Sequence, residues 1–402
     1  MTICDLKECT ACGACINTCP KGCISWYKDE YDTLLPQVDD SICVQCNACV
    51  RACHNNSKNL QFNTPIKTYA AWSFDKEDRR TSASGGITSV FYQYTIENGG
   101  FTAGVELTRE RGARFIELKS CEDIQRVKNS KYLYAHMDDI FKKIRLALKD
   151  NKFVFFVGLP CHVAALKTYL GKIADSDNLL TADILCHGVV NEDYFFQYLN
   201  DIEKRYGKKG DHISFRDPVL GTETFKFTLK SNSESKPFYN QNHYDKNLYY
   251  IGYMHELQYR ENCYQCHYAR TERVSDLTFG DFDGLGKSKP FNHWNRQVSL
   301  CLVNTEKGDK YLSAVSDKLF LEERSLEEAV KPQRQLKAPA KGHPNRKLFL
   351  ENYKVQKNFG KAAKTCLQTE LKQNRKNHII STCYMSVRWL LPVRLLKKIL
   401  HR

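Results

Sequence analysis

No stretch of the sequence approaches the roughly 20 apolar residues of a membrane span, so no segment is expected to cross a bilayer. The opening residues Met1-Thr2-Ile3-Cys4-Asp5 lack the basic and apolar regions of a secretory signal, and a reducing, low-oxygen cytoplasm is the expected setting. No Gly-x-Gly-x-x-Gly follows a strand-like run, so a Rossmann-type dinucleotide site is not indicated. Acidic residues are scarce in one place only. Residues 331–402 hold 18 Lys/Arg and 2 Asp/Glu, a net of +16, while the remainder carries a net of −2. The overall charge of +14 therefore belongs to a tail. A nucleic-acid protein carries a basic face on its folded domain, so no nucleic-acid partner is expected.

What the sequence has in abundance is cysteine, with 18 residues, ten of them between Cys4 and Cys53. With 402 residues and 42% hydrophobic residues, a small domain plus a large body with a real core is expected. Cys9-x2-Cys12-x2-Cys15-x3-Cys19-Pro20 matches the run that holds a [4Fe–4S] cluster in bacterial ferredoxins, and Cys43-x2-Cys46-x2-Cys49-x3-Cys53 repeats it. Cysteines three apart can wrap three corners of a cubane, and the fourth crosses over to the other cluster. One site is then Cys9, Cys12, Cys15 and Cys53, and the other Cys43, Cys46, Cys49 and Cys19. Small residues such as Ala11, Gly13, Ala14 and Ala48 let backbone N–H groups approach the sulfides. Structural zinc also uses Cys-x2-Cys, but zinc ribbons rarely place four cysteines in eleven residues. His54 stands where the second run would usually have proline, and Cys4 and Cys23 read as small buried residues. Each run is followed by a strand-like segment, residues 22–27 and 59–62, so a pseudo-symmetric domain over 1–62 is expected, with a linker at 63–70.

From Ala71 the texture is α/β, with mixed strands expected over 71–330. Ile87, Val90, Phe91 and Tyr94 have helical spacing behind Gly85-Gly86. Residues 153–157 form a continuous apolar run, as in a buried strand, and residues 101–107, 115–119, 179–185, 277–282 and 298–304 also read as strands. Helices are expected over 138–149, 162–170 and 194–206; residues 207–250 are polar and least readable.

Cys161 and Cys186 each follow a predicted strand, where ligands gather in α/β sheets, and Cys263-x2-Cys266 could complete a quartet. Spacing alone also allows buried thiols at Cys161 and Cys186, and zinc at the pair with His267.

Ser84-Gly85-Gly86 before a helix, Gly158-Leu159-Pro160-Cys161-His162, Cys186-His187-Gly188, residues 260–266 (RENCYQC) and residues 273–282 (RVSDLTFGDF) occur in that order. Together they resemble the coenzyme F420 hydrogenase/dehydrogenase beta-subunit family over about residues 75–315, with a ferredoxin block fused in front as that family also shows. The resemblance implies FAD, a third [4Fe–4S] cluster on Cys161, Cys186, Cys263 and Cys266, and electron transfer between clusters and a two-electron acceptor. It also implies cofactor contacts at Ser84, Gly85, Gly86, Lys131, Gly158, Pro160, His187 and Asp281. Asp283 stands where the family often has an aromatic residue, which leaves the organic substrate open and the deazaflavin of the family name unassigned.

From the residues themselves, Ser84-Gly85-Gly86 can turn backbone N–H groups toward a phosphate at a helix start, or can simply cap the helix. Lys131 could stabilise a reduced flavin near N1; its plain alternative is a surface lysine. The expectation is an iron–sulfur flavoprotein oxidoreductase exchanging electrons with a donor or acceptor protein or subunit. A relay subunit without its own substrate chemistry is the alternative. A third reading is a scaffold that has lost its flavin. At the far end, Pro392 opens a stretch through Arg402 in which Val393, Leu395, Leu396, Ile399 and Leu400 share one helical side and basic residues the other. Such a helix suits an anionic membrane surface, or docking on this chain or a partner.

Overall fold

A computed structural model describes residues 1–242 and 246–387, with side chains through 377. The helix expected over 392–402 and its membrane contact lie outside the described residues. Among the described residues, no helix is long and apolar enough to cross a membrane.

The cysteine-rich block holds an antiparallel hairpin, β1 (Ile24–Lys28) and β2 (Leu34–Val38), over a small core of Ile3, Ile24, Leu35 and the buried cysteines. The symmetry read from the sequence is incomplete. Residues 59–62 form no strand, and residue 63 makes only an isolated bridge to Arg273.

The body is organised by an eight-stranded mixed sheet. Its strands are β3 (Lys67–Ser73), β4 (Phe101–Thr108), β5 (Gly112–Glu117), β6 (Val154–Gly158), β7 (Leu179–Ile184), β11 (Leu277–Asp281), β12 (Ser299–Val303) and β13 (Leu319–Glu323), in the order β13-β3-β12-β11-β7-β6-β4-β5. The central run β4, β6, β7 and β11 is parallel. β6 is buried along its whole length, as its unbroken apolar sequence requires of a strand covered on both faces. Alternation along β6 assigns the covers. Val154 and Phe156 pack with helices α2 (Ile140–Lys149) and α3 (Pro160–Leu170), and Phe155 and Val157 with α1 (Ile87–Glu97).

Two expectations fail here. The linker drawn over 63–70 overlaps β3, a strand inside the sheet whose Ala70 and Ala71 are fully buried. Alanine has little strand propensity, so the strand was not visible until it paired on both sides with β12 and β13. The tail does not begin at 331 as an appendage. Helices α5 (Arg346–Gln356) and α6 (Phe359–Cys366) bury Phe349, Tyr353 and Phe359 against α4 (Glu192–Tyr206). Lys347, Lys354, Lys361 and Lys364 on these helices are exposed, so charge obscured a core contribution. The unreadable polar stretch supplies a second, three-stranded antiparallel sheet of β8 (His212–Ser214), β9 (Phe227–Lys230) and β10 (Tyr239–Gln241), packed on the same core.

Candidate functional site

In the cysteine-rich block the chain reverses tightly by entering the left-handed region at Ala11, Gly13, Gln45 and Asn47. These turns gather the thiols in two groups. Burial pushes Cys12 up to about 12, with Cys9 and Cys53 adding to the effect, and Cys15 is raised the same way. Cys49 is raised by burial and by its neighbours Cys19 and Cys43. Cys19, Cys43, Cys46 and Cys49 line one small cavity. Cys53 stands with Cys9, Cys12 and Cys15, and Cys19 with Cys43, Cys46 and Cys49. Four thiols set around a gap suit the four corners of a cubane.

Cys4 and Cys23 are buried as expected, but each also stands beside one quartet. Cys4 neighbours Cys9 and Cys53, and its thiol pulls Cys9 down to about 6 and lowers Cys53 too. Cys23 Sγ lies 3.4 Å from Cys19 Sγ.

In the body, β6 and β7 are parallel neighbours, with Gly158 opposite Asp183, so Cys161 and Cys186 emerge side by side at their carboxyl ends. Cys263 sits in a short 3-10 turn (Glu261–Gln265), with Cys266 just after it. Burial pushes Cys161 well up, reinforced by Cys186, Cys266 and Cys263, and pushes Cys263 up to about 11. The backbone N–H of Val189 donates to Cys263 Sγ at 3.3 Å. His267 is exposed and faces Glu8 at 4.0 Å.

All four body thiols line one cavity of ≈ 780 Å³. Ser84, Gly86, the first turn of α1 and the segment 128–131 line the same cavity. Gly158, Pro160, His187 and Asp281 also line it, while Gly85 lies behind the wall. Packing requires both glycines. A Cβ on Gly85 would sit 2.3 Å from the Ala71 carbonyl oxygen, and Gly86 has φ +88° with Asp78 Oδ2 2.9 Å from its would-be Cβ. Lys131 is no surface lysine. Its ammonium donates to the Val127 and Lys128 carbonyls at 2.7 and 2.6 Å, and burial lowers it to about 7. Lys128, by contrast, is paired with Asp78 at 2.5 Å.

Nothing in the sequence hinted at the wall over Asp281. Arg216, from the unreadable stretch, reaches Asp281 at 2.9 Å and lies 4.1 Å from the Phe225 ring centroid. Burial and the neighbouring Asp281 raise Asp283. Burial lowers His187, which Gln335 meets at 2.7 Å. Position alone could have flagged Arg273, which opens the 273–282 motif and proves to be buried against Asp183.

Two regions of the chain match known families. Residues 151–329 match the family model for the C terminus of the coenzyme F420 hydrogenase/dehydrogenase beta subunit, and residues 8–63 match the 4Fe-4S dicluster domain. A subunit of the F(420)H(2) dehydrogenase of Methanosarcina mazei is 26% identical over 168 residues, which cover 40% of this chain and 47% of that protein. The match thus spans about half that relative's length. An uncharacterized ferredoxin of Methanocaldococcus jannaschii is 34% identical over 65 residues, covering 16% of this chain and 83% of the ferredoxin. Among solved structures, a chain of the F420-reducing [NiFe] hydrogenase complex from Methanosarcina barkeri aligns at 16% identity with a TM-score of 0.40, over 78% of this chain and 91% of that one. The dicluster domain in front and the beta-subunit region behind it make this an iron–sulfur electron-transfer protein, related over residues 151–329 to the beta subunits of coenzyme F420 hydrogenases and dehydrogenases.

Proposed function

We propose that the chain is an iron–sulfur flavoprotein oxidoreductase, with a [4Fe–4S] cluster in each ferredoxin quartet, a third on Cys161, Cys186, Cys263 and Cys266, and FAD in the adjoining cavity. One observation carries the reading: a single ≈ 780 Å³ cavity is lined by all four body thiols, by the start of α1 and by Lys131. That volume lies within the usual range for cofactor sites. The donor set of four thiols fits a cubane. The first N–H groups of α1 and the Lys131 ammonium offer partners to a phosphate. A bound flavin supplies the exchange between single electrons and a two-electron organic acceptor or donor, a deazaflavin included. The chain's own residues shape that exchange. Arg216 and Phe225 close the cavity over Asp281, and Arg273 fixes the loop after Cys266 to β7. A cytoplasmic setting accords with so many reduced thiols.

A second reading, a relay that passes electrons to a partner subunit which does the chemistry, is favoured by the relative being named as one subunit of a dehydrogenase. Anaerobically purified protein should show iron–sulfur absorption, release FAD on denaturation and carry about twelve irons. Absence of flavin from protein loaded with iron would overturn the flavoprotein reading. Turnover of an organic acceptor by the single chain with a chemical reductant would exclude the pure relay.

A further inference from the structure

His54 does more than replace the usual proline. It is 3% exposed, its Nδ1 lies 2.6 Å from the Tyr268 hydroxyl, and its Nε2 lies 3.0 Å from Thr10 Oγ1. The ring donates through one nitrogen and accepts through the other. These partners stand next to cysteines: His54 follows Cys53, Thr10 follows Cys9, and Tyr268 comes two residues after Cys266. On the opposite flank Arg260, also 3% exposed, precedes Cys263 by three residues. Its guanidinium donates to the carbonyls of Cys9 and Leu34 at 3.3 and 3.0 Å. Tyr134 adds a bond from its hydroxyl to the Ala11 carbonyl at 2.8 Å. The body's Cys-x2-Cys loop is therefore tied on both flanks to the loop of the first ferredoxin quartet. Among the described residues, no hydrogen bond joins residues 43–49 of the second quartet to the body, and Cys46 is exposed.

We propose that His54 and Arg260 are positioning residues of a two-sided latch that holds the first ferredoxin quartet against the body quartet. The first quartet is then the one matched to the body, and the second faces the surface. The inference rests on reading the quartets as cluster sites, but the latch is a property of this chain's own residues and can be read without activity.

The test is amide hydrogen exchange on the full-length protein, paired with electron paramagnetic resonance of the anaerobically loaded, reduced form. In His54→Phe, amides of residues 9–15 and 260–268 should exchange about tenfold faster, the scale of losing buried hydrogen bonds, while residues 43–49 keep their rate. The magnetic interaction between the first-quartet and body clusters should weaken. His54→Gln, whose amide both donates and accepts, should restore both readouts. Unchanged exchange at 9–15, or equal acceleration at 43–49, would overturn the latch. Should His54→Phe fail to fold, Tyr268→Phe removes a single hydroxyl and should give the same pattern at about threefold; no change there would also overturn it. A body quartet that binds no iron would sink the functional reading yet leave the exchange result standing, so the two failures are distinguishable.

Discussion

Arg273 and Asp183 form an ion pair sealed inside the protein: Nη2 lies 2.8 Å from Oδ1, and neither side chain is more than 2% exposed. Arg273 also donates to the carbonyls of Tyr268 and Arg270, both at 3.0 Å, so one side chain joins β7 to the loop that follows Cys266. Asp183 Oδ2 has no further partner among the described residues. Removing only the cation should therefore be costly, because a buried carboxylate is left uncompensated. Arg273→Met should lose about 3–5 kcal/mol in chemical unfolding, and the double variant Arg273→Met/Asp183→Leu should recover most of it. A double variant as unstable as the single one would show that the loop contacts, not the charge pair, carry the energy.

Lys131 makes stability depend on pH in a defined direction. Burial lowers it to about 7 from an ordinary 10.5. Below about pH 7 the lysine is charged in both folded and unfolded chains, and the full cost of burying the charge is felt. Between about 7 and 10.5 the unfolded chain binds more protons, so this group makes stability rise with pH. Flavin-free Lys131→Met should therefore be more stable than the parent, with a clear gain in melting temperature at pH 6 that shrinks toward pH 10. The same variant should bind FAD more weakly, because the cation offered to a phosphate is gone. A stability gain independent of pH would remove the buried charge as its cause.

The body quartet can be counted. Replacing Cys263 and Cys266 together by alanine should remove about four of about twelve irons and leave the rest in place. Alanine at both positions removes only the two sulfurs, so the fold should persist by circular dichroism. Unchanged iron in that variant would mean that the four convergent thiols hold no cluster.

The parts legible in the sequence are those where one local pattern decides the outcome. The cysteine spacing foretold the dicluster domain at residues 8–63, because a three-residue step leaves little freedom in how a loop can close. The unbroken apolar run of β6 foretold a central strand with a cysteine at its carboxyl end. What escaped was decided by distant partners. Ala70 and Ala71 become strand only through two neighbours from far along the chain. The close approach of the β3 backbone to Gly85 and of the Asp78 carboxylate to Gly86 was equally hidden, since neither neighbour is adjacent in sequence. Arg216 reaches Asp281 from a polar stretch with no period at all.

The C-terminal region shows the same limit, and it leads to a prediction. Counting charge alone separates residues 331–402 from the fold, yet Phe349, Tyr353 and Phe359 are fully buried. Tyr194 packs against all three rings at 4.5 to 5.8 Å between centroids. The same helices grip the ferredoxin block: Tyr353 bonds Asp32, Lys354 pairs with Glu30 at 2.9 Å, and Lys357 pairs with Asp32 at 3.0 Å. The exposed pairs add little, but loss of each buried aromatic costs about 3–5 kcal/mol. Three together rival the whole stability of a domain, about 5–15 kcal/mol. A chain ending at Val330 should therefore be insoluble or lack a cooperative melt. One ending at Asn377, which keeps both helices, should melt within a few degrees of the full chain, about 2–4 °C per kcal/mol lost. A soluble, cooperatively melting chain ending at Val330 would show that the charge boundary was the true one.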